Sequence, residues 1–203
     1  MQTAPRIDLA HILPGFDEPV HDAQRCFRCA LEALSHPGRV VPVPVALTPP
    51  EGLSVAQCAT LLALADYDTP VWLPPALRDA TAGHYLRFHC NCPLTDALAA
   101  AHFVVLNGLG ELPPHDSLRL GVPSYPDRSA TLLVEVPALT ASGPIRLRGP
   151  GIAQEQAITV TGWTAATRDF LLTNHSGFPL GVDLLLTCGS NLLGLPRTTR
   201  VET

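Results

Sequence analysis

Lysine is missing. All 13 basic residues among the 203 are arginine, and that absence removes three kinds of chemistry. There is no Schiff base to pyridoxal phosphate or a carbonyl substrate, no Walker-type lysine on a phosphate chain, and no lysine general base. Charge is scarce as well: charged residues make up 15% of the chain against 46% apolar ones, and the net charge is -5. Nucleic-acid binding across a broad basic face needs clustered cations and is excluded, whereas a local arginine site for one small anion stays open. So much apolar material beside so little charge implies that some apolar surface is covered by another chain.

Long apolar runs are also lacking. No stretch approaches the ~18 consecutive apolar residues of a membrane-spanning helix. The opening MQTAPRIDLAHILPGFDEP has no apolar run after a basic start and reads as an ordinary arm, not a signal peptide. These features point to the cytoplasm, where the six cysteines need not pair. Their uneven spacing suggests no disulfide framework. The 203 residues read as one domain.

Helical periodicity is clearest in HDAQRCFRCALEALSHPG, where Ala23, Phe27, Ala30, Leu31 and Leu34 recur on one face. Asp22 can cap this helix, and Pro37 with Gly38 ends it. VVPVPVAL, broken by prolines, is at best an edge strand. SVAQCATLLALAD reads as a helix capped by Ser54 that runs into a short strand in YDTPVWLPP. PLTDALAAA is expected to be helical and HFVVLNG extended. SATLLVEVPAL and PIRLRGPG follow as strands, and TAATRDFLLTNH as a last helix. VDLLLTCG is the most apolar strand and is expected at the centre of a sheet. NLLGLPRTTRVE would return as a final strand and an arm, while PVPVALTPPEG and LGELPPHDSLRLGVPSYPDRS read as surface loops. The alternation predicts a three-layer α/β domain with a mixed sheet, its parallel portions joined by helices.

Several groups could carry chemistry. Cys26 and Cys29 lie one helical turn apart, and RFHCNCP supplies His89, Cys90 and Cys92, which invites a zinc reading. The spacing is poor for zinc: His89 and Cys90 would point apart in an extended segment, and thiols as core filler are the blander account. Cys188, at the end of a buried strand, could be a nucleophile, although no base is identifiable; a buried cysteine is the plainer reading. The GPG turn could offer amides to a phosphate or simply join two strands. Asp66 and Asp68 could bind a cation or act as acid and base, or could close a helix. Arg197, Thr198, Thr199 and Arg200 in LPRTTR could grip an anion or meet another subunit.

In order, PVHDAQRCFRCALEALSHPG, LADYDTPVWL, LRFHCNCP, GPGI, FPLGVDLLLTCG and LPRTTRVE resemble the PhnH family of the bacterial carbon-phosphorus lyase system. The resemblance covers nearly the whole chain. It implies a fold similar to the large domain of pyridoxal-phosphate-dependent transferases but without the cofactor site, with which the missing lysine agrees independently. It also implies no cofactor, no resident metal, a homodimer, and assembly with PhnG, PhnI and PhnJ in a core complex for phosphonate catabolism. That complex joins a phosphonate to the ribose of ATP, giving ribose 1-phosphonate 5-triphosphate. The matched positions are Asp22, Gln24, Phe27, Arg28, Pro37 and Gly38, then Asp66, Asp68, Thr69, Arg87, Phe88 and His89. Further on they are Gly149, Gly151, Phe178, Pro179, Gly181, Asp183, Pro196, Arg197, Thr198 and Thr199. Cys90 and Cys92 stand where the family pattern has small residues without thiols. Residues expected to touch a nucleotide, a phosphonate or a partner are Arg28, Arg87, His89, Arg197 and Thr198, with Asp66, Asp68 and Asp183 as polar partners. The alternative is an independent α/β enzyme using Cys188 or His89.

Overall fold

Alternation of side chains along a few leucine-rich strands sets the architecture. A computed structural model describes residues 12–202, and the part of the expected N-terminal arm at 1–11 lies outside the described residues. In chain order the elements are α1 (Pro19–Ser35), β1 (Val40–Pro42), α2 (Val55–Leu64), β2 (Val71–Trp72), α3 (Pro75–Arg78), α4 (Thr81–Cys90), β3 (Phe103–Leu106), β4 (Leu120–Val122) and β5 (Tyr125–Ser129). Then follow β6 (Thr131–Glu135), β7 (Leu139–Arg148), β8 (Gln156–Val160), α5 (Ala165–Ser176), β9 (Asp183–Cys188), β10 (Asn191–Leu195) and β11 (Arg200–Glu202). Six strands form a mixed sheet in the order β1-β10-β9-β6-β3-β2, parallel from β2 to β9 and antiparallel from β9 to β1.

Because strand side chains alternate between faces, the sheet divides the core in two. Leu185, Leu133 and Val105 pack with α1, α2 and α4 on one side. Leu184, Leu186, Leu132 and Val134 pack on the other, against Ile145 and Leu147 of β7, Ile158 of β8 and Leu171 of α5. β9 is central, as its apolar run predicts, and β1 is an edge strand, as its prolines predict. The second face is covered mainly by a three-stranded sheet, β11-β7-β8, together with α5. Helices therefore join the parallel strands only in part: the β3 to β6 connection holds the β4–β5 hairpin, and the β6 to β9 connection holds β7 and β8 as well as α5. Among the described residues no helix is long and apolar enough to cross a membrane.

Three local expectations change. Of the expected stripe, helix α1 buries Ala30 and half-buries Ala23 and Leu34, but it fills the core with Cys26 and Ala33 and leaves Phe27 and Leu31 50% and 54% exposed. The cause is close packing on β10, where a Cβ on Gly194 would lie 2.3 Å from the Ala33 carbonyl oxygen. Only small side chains fit that approach, so the large ones are displaced outward. Asp22 caps from inside the helix, its Oδ2 accepting from the Glu18 amide at 3.0 Å. PLTDALAAA holds only a 3-10 turn at Leu98–Ala100, and the helix of this region is α4, which ends within RFHC where Asn91 turns left-handed at φ 53. The stretch 109–129, expected to be loop, contains β4 and β5, and β8 was not expected.

Gln57 ties α2 to the sheet. It closes a capping box with Ser54, its Oε1 accepting from the Ser54 amide at 3.1 Å. Its fully buried Nε2 donates to the carbonyls of Leu106 (3.0 Å), at the end of β3, and Leu133 (3.2 Å), in the middle of β6. The GPG turn joins β7 to β8 and backs onto the end of α1: Gly151 has φ +83, and a Cβ there would lie 2.0 Å from the Ser35 carbonyl oxygen.

Gln57→Leu, which removes a buried donor shared by two strand carbonyls, is expected to cost roughly 1–3 kcal/mol in urea unfolding with an unchanged m-value. Gly151→Ala combines a disfavoured φ with a backbone clash and is expected to lower the same midpoint by about 2–3 kcal/mol of stability. Ala at the exposed, sterically open Gly162 would avoid the clash and cost only the φ penalty, about 1 kcal/mol.

Candidate functional site

The residues matched across the separated motifs gather in two places. The first is the start of β9. There Asp183 Oδ1 accepts from the Arg197 amide (2.9 Å) and Nε (3.1 Å), and Oδ2 accepts from Nη2 (2.6 Å). Arg197 Nη1 donates to the carbonyls of Pro126 (2.8 Å) and Pro179 (3.4 Å), and Nη2 also donates to Ser129 Oγ. Every guanidinium N–H is thereby taken, and the side chain is only 10% exposed. His175 Nδ1 donates to the Arg197 carbonyl at 3.2 Å. Thr198 borders a depression of about 340 Å³ beside Phe178 and Pro179. This arrangement joins the start of β9 and the β10–β11 link to the β5 strand and the α5–β9 turn, and Arg197 itself has no spare donor for an incoming anion.

The second gathering surrounds α4. His89 Nε2 donates to the Leu13 carbonyl (3.0 Å) and Tyr85 Oη to that of Pro14 (3.1 Å), so α4 holds the incoming chain at 13–15. Arg87 donates to the Arg78 carbonyl at 3.5 Å. Asp66 Oδ1 accepts from the Asp68 amide (2.9 Å) and Thr69 Oγ1 (3.0 Å), an Asx-type turn that ends α2 and starts β2. Asp68 is exposed. Arg28 is exposed on α1 and makes no ion pair or hydrogen bond with either group among the described residues.

The thiols follow burial. Cys26, Cys58, Cys90 and Cys92 belong to the core cluster beneath α1, α2 and α4, and Cys29 lies against it. Burial pushes Cys26 and Cys58 up to about 12, which keeps them protonated and unreactive at neutral pH. The Cys90 S–H beside Cys92 lowers the Cys92 thiol, with Arg87 adding to the effect, and raises Cys90 in turn. Among the described residues no three His, Cys, Asp or Glu side chains converge as a metal site requires. Cys188 is half-buried, not buried as expected, because β6 pairs with β9 only as far as Thr187 and leaves the last residue uncovered. Its Sγ donates to the Pro137 carbonyl at 3.6 Å, and among the described residues no histidine hydrogen-bonds to it.

A cleft of about 630 Å³ runs beside Pro37 and Gly151. Its charged groups are already paired: Arg39 with Glu32 at 2.8 Å, and Glu155 with Arg146 and Arg148 at 3.4 and 3.2 Å. Two arginines that the sequence reading left in a loop, Arg119 and Arg128, come together on the β4–β5 hairpin. The signal that could have found them is LRLGVPSYPDR, two short extended pieces around a Gly- and Pro-bearing turn.

Residues 14–202 match a family described as bacterial phosphonate metabolism protein (PhnH). The chain is 39% identical over 188 residues, 93% of its length and 94% of the relative's, to the alpha-D-ribose 1-methylphosphonate 5-triphosphate synthase subunit PhnH of Rhizobium meliloti (strain 1021). It is 33% identical over 186 residues to the HtxG protein of Stutzerimonas stutzeri, covering 88% of this chain and 85% of that one. With a family match over residues 14–202 and relatives matched at this extent, the chain belongs to the PhnH family of bacterial phosphonate metabolism proteins.

Proposed function

We propose that this chain is a subunit of the carbon-phosphorus lyase core complex of phosphonate catabolism, associated with forming ribose 1-methylphosphonate 5-triphosphate and acting by assembly, not as a catalyst alone. The observation that carries this reading is where the matched residues point. Arg197, Asp183 and His89 hold the chain to itself, while a stripe on α1, formed by Val20, Phe27 and Leu31, is left 79%, 50% and 54% exposed. Three large apolar side chains on one uncovered helix face suit a subunit contact, because such a patch is costly to leave in water. Phe88, exposed on α4, adds an aromatic of the kind that anchors interfaces.

On this reading the chain is cytoplasmic, forms a homodimer, and meets chains of the PhnG, PhnI and PhnJ kinds. Residues 12–202 act as one domain, similar in fold to the large domain of pyridoxal-phosphate-dependent transferases. Arg28 and Asp68 face solvent and are assigned to partner or ligand contact. Arg87, His89, Asp66, Asp183 and Arg197 serve the framework, and Thr198 borders the depression beside it.

Size exclusion with light scattering, on the chain alone and co-expressed with PhnG, PhnI and PhnJ, tests the assignment. Co-elution in a stable assembly is expected; a chain that stays alone in the presence of all three overturns it. Phe27→Asp with Leu31→Asp should abolish that co-elution while changing stability by less than about 1 kcal/mol, since both side chains are half in water already. Arg197→Met is expected to cost roughly 2–4 kcal/mol by leaving the Asp183 carboxylate without its partner. A normal melting curve for that variant would remove Arg197 from the framework.

A further inference from the structure

The β4–β5 hairpin carries an arrangement that the framework does not explain. Arg119 Nε donates to the Arg128 carbonyl at 2.5 Å, which restrains its guanidinium, and among the described residues its two terminal nitrogens make no hydrogen bond or ion pair. Arg128 lies over the Tyr125 ring, its Cζ 4.2 Å from the centroid; stacking fixes that side chain too and leaves its edge donors unused. Both arginines line one cleft of about 370 Å³, with Ala99, Leu120, Gly121 and Val122 as the other walls. No acidic residue lines that cleft, and none of the ion pairs among the described residues includes either arginine. Like charges side by side on paired strands repel. The chain nevertheless pins both in place. The field of Arg119 reaches His102, which burial first and Arg119 second hold below the usual histidine range.

Two oriented guanidinium forks without a carboxylate are a receptor for a tetrahedral oxyanion, because each fork can give paired N–H bonds to two oxygens and the two cations together match a dianion. We propose that this cleft binds the phosphoryl or phosphonyl group of a small-molecule ligand, with Arg119 and Arg128 as the anion grip and Ala99, Leu120 and Val122 against the group that the phosphorus carries. The volume admits such a group together with a substituent on the phosphorus. The inference rests on these residues alone and stands apart from the subunit assignment.

Calorimetric titration of the intact chain at low salt with orthophosphate, methylphosphonate and tripolyphosphate tests it. Saturable binding of at least one probe is expected, weakening as salt is raised. Arg119→Gln and Arg128→Gln should each weaken it at least tenfold, the change expected when charge-assisted hydrogen bonds worth about 1.4 kcal/mol or more are lost. The double variant should show none, and Arg168→Gln, whose guanidinium pairs with Asp169, should bind as the unaltered chain does. Preference for methylphosphonate over orthophosphate assigns the apolar wall to an organic substituent; preference for tripolyphosphate assigns the cleft to a phosphate chain. Thermal melts of the variants check folding, and Arg119→Lys with Arg128→Lys, which keeps the charge and loses the forks, should bind measurably but more weakly. No binding of any probe up to roughly 10 mM, a Kd beyond any useful affinity, overturns the proposal, as does affinity unchanged in the folded double variant. Co-elution with partner chains reads out separately, so either assignment can fail without the other.

Discussion

The carboxylate of Asp183 stands at the first residue of the central strand and collects three hydrogen bonds from a single residue, Arg197. Much of the architecture depends on that pairing. β9 must begin where its leucines fall in register with β6 on one side and β10 on the other. Arg197 sets that point by linking the β10–β11 connection to β9, while its remaining donors reach the backbone at Pro126 and Pro179. A partly buried charge held by so many partners is tolerated because each donor is satisfied; removing one side would strand the other in a poorly hydrated place. The same demand explains why a motif that reads as an anion grip in the sequence is occupied internally.

A second constraint is closeness. α1 lies so near β10 that only Gly194 below and alanine or cysteine above can fit. The consequence reaches the surface: the bulky residues of α1 are turned out, and Phe27 and Leu31 become a face that needs a cover. Framework and assembly are thus linked through one packing distance. By contrast, the β4–β5 hairpin stands away from both core clusters for most of its length, with exposed Val122, Tyr125 and Arg128. It is free to hold two cations together because neither has to be buried.

Much of this was legible in the residues. Leucine and valine runs bounded by turn residues marked β3, β6 and β9, and Ser54 marked the start of α2. These signals are local: a strand two faces deep must be apolar at nearly every position, and a capping side chain acts within its own turn. α4 escapes the sequence because Gly83, His84 and His89 dilute its periodicity, and Phe27 and Leu31 of α1 are not buried as expected because the buried edge of α1 depends on a strand some 160 residues away in the chain, at Gly194. For the candidate site, the motifs pointed to the right residues and left their roles open. Arg197 looks the same in sequence whether it meets a phosphate or Asp183.

By itself the sequence determined the family, the mixed α/β class, the central place of VDLLLTCG and the chemistry that a chain without lysine cannot perform, because these follow from residue types and short-range pattern. Only the tertiary structure decided which arginines are used up and which are left over. A guanidinium is assigned by what lies within about 3 Å of its nitrogens, and for Arg197, Arg119 and Arg128 those neighbours come from strands and turns that the chain brings together only when it folds.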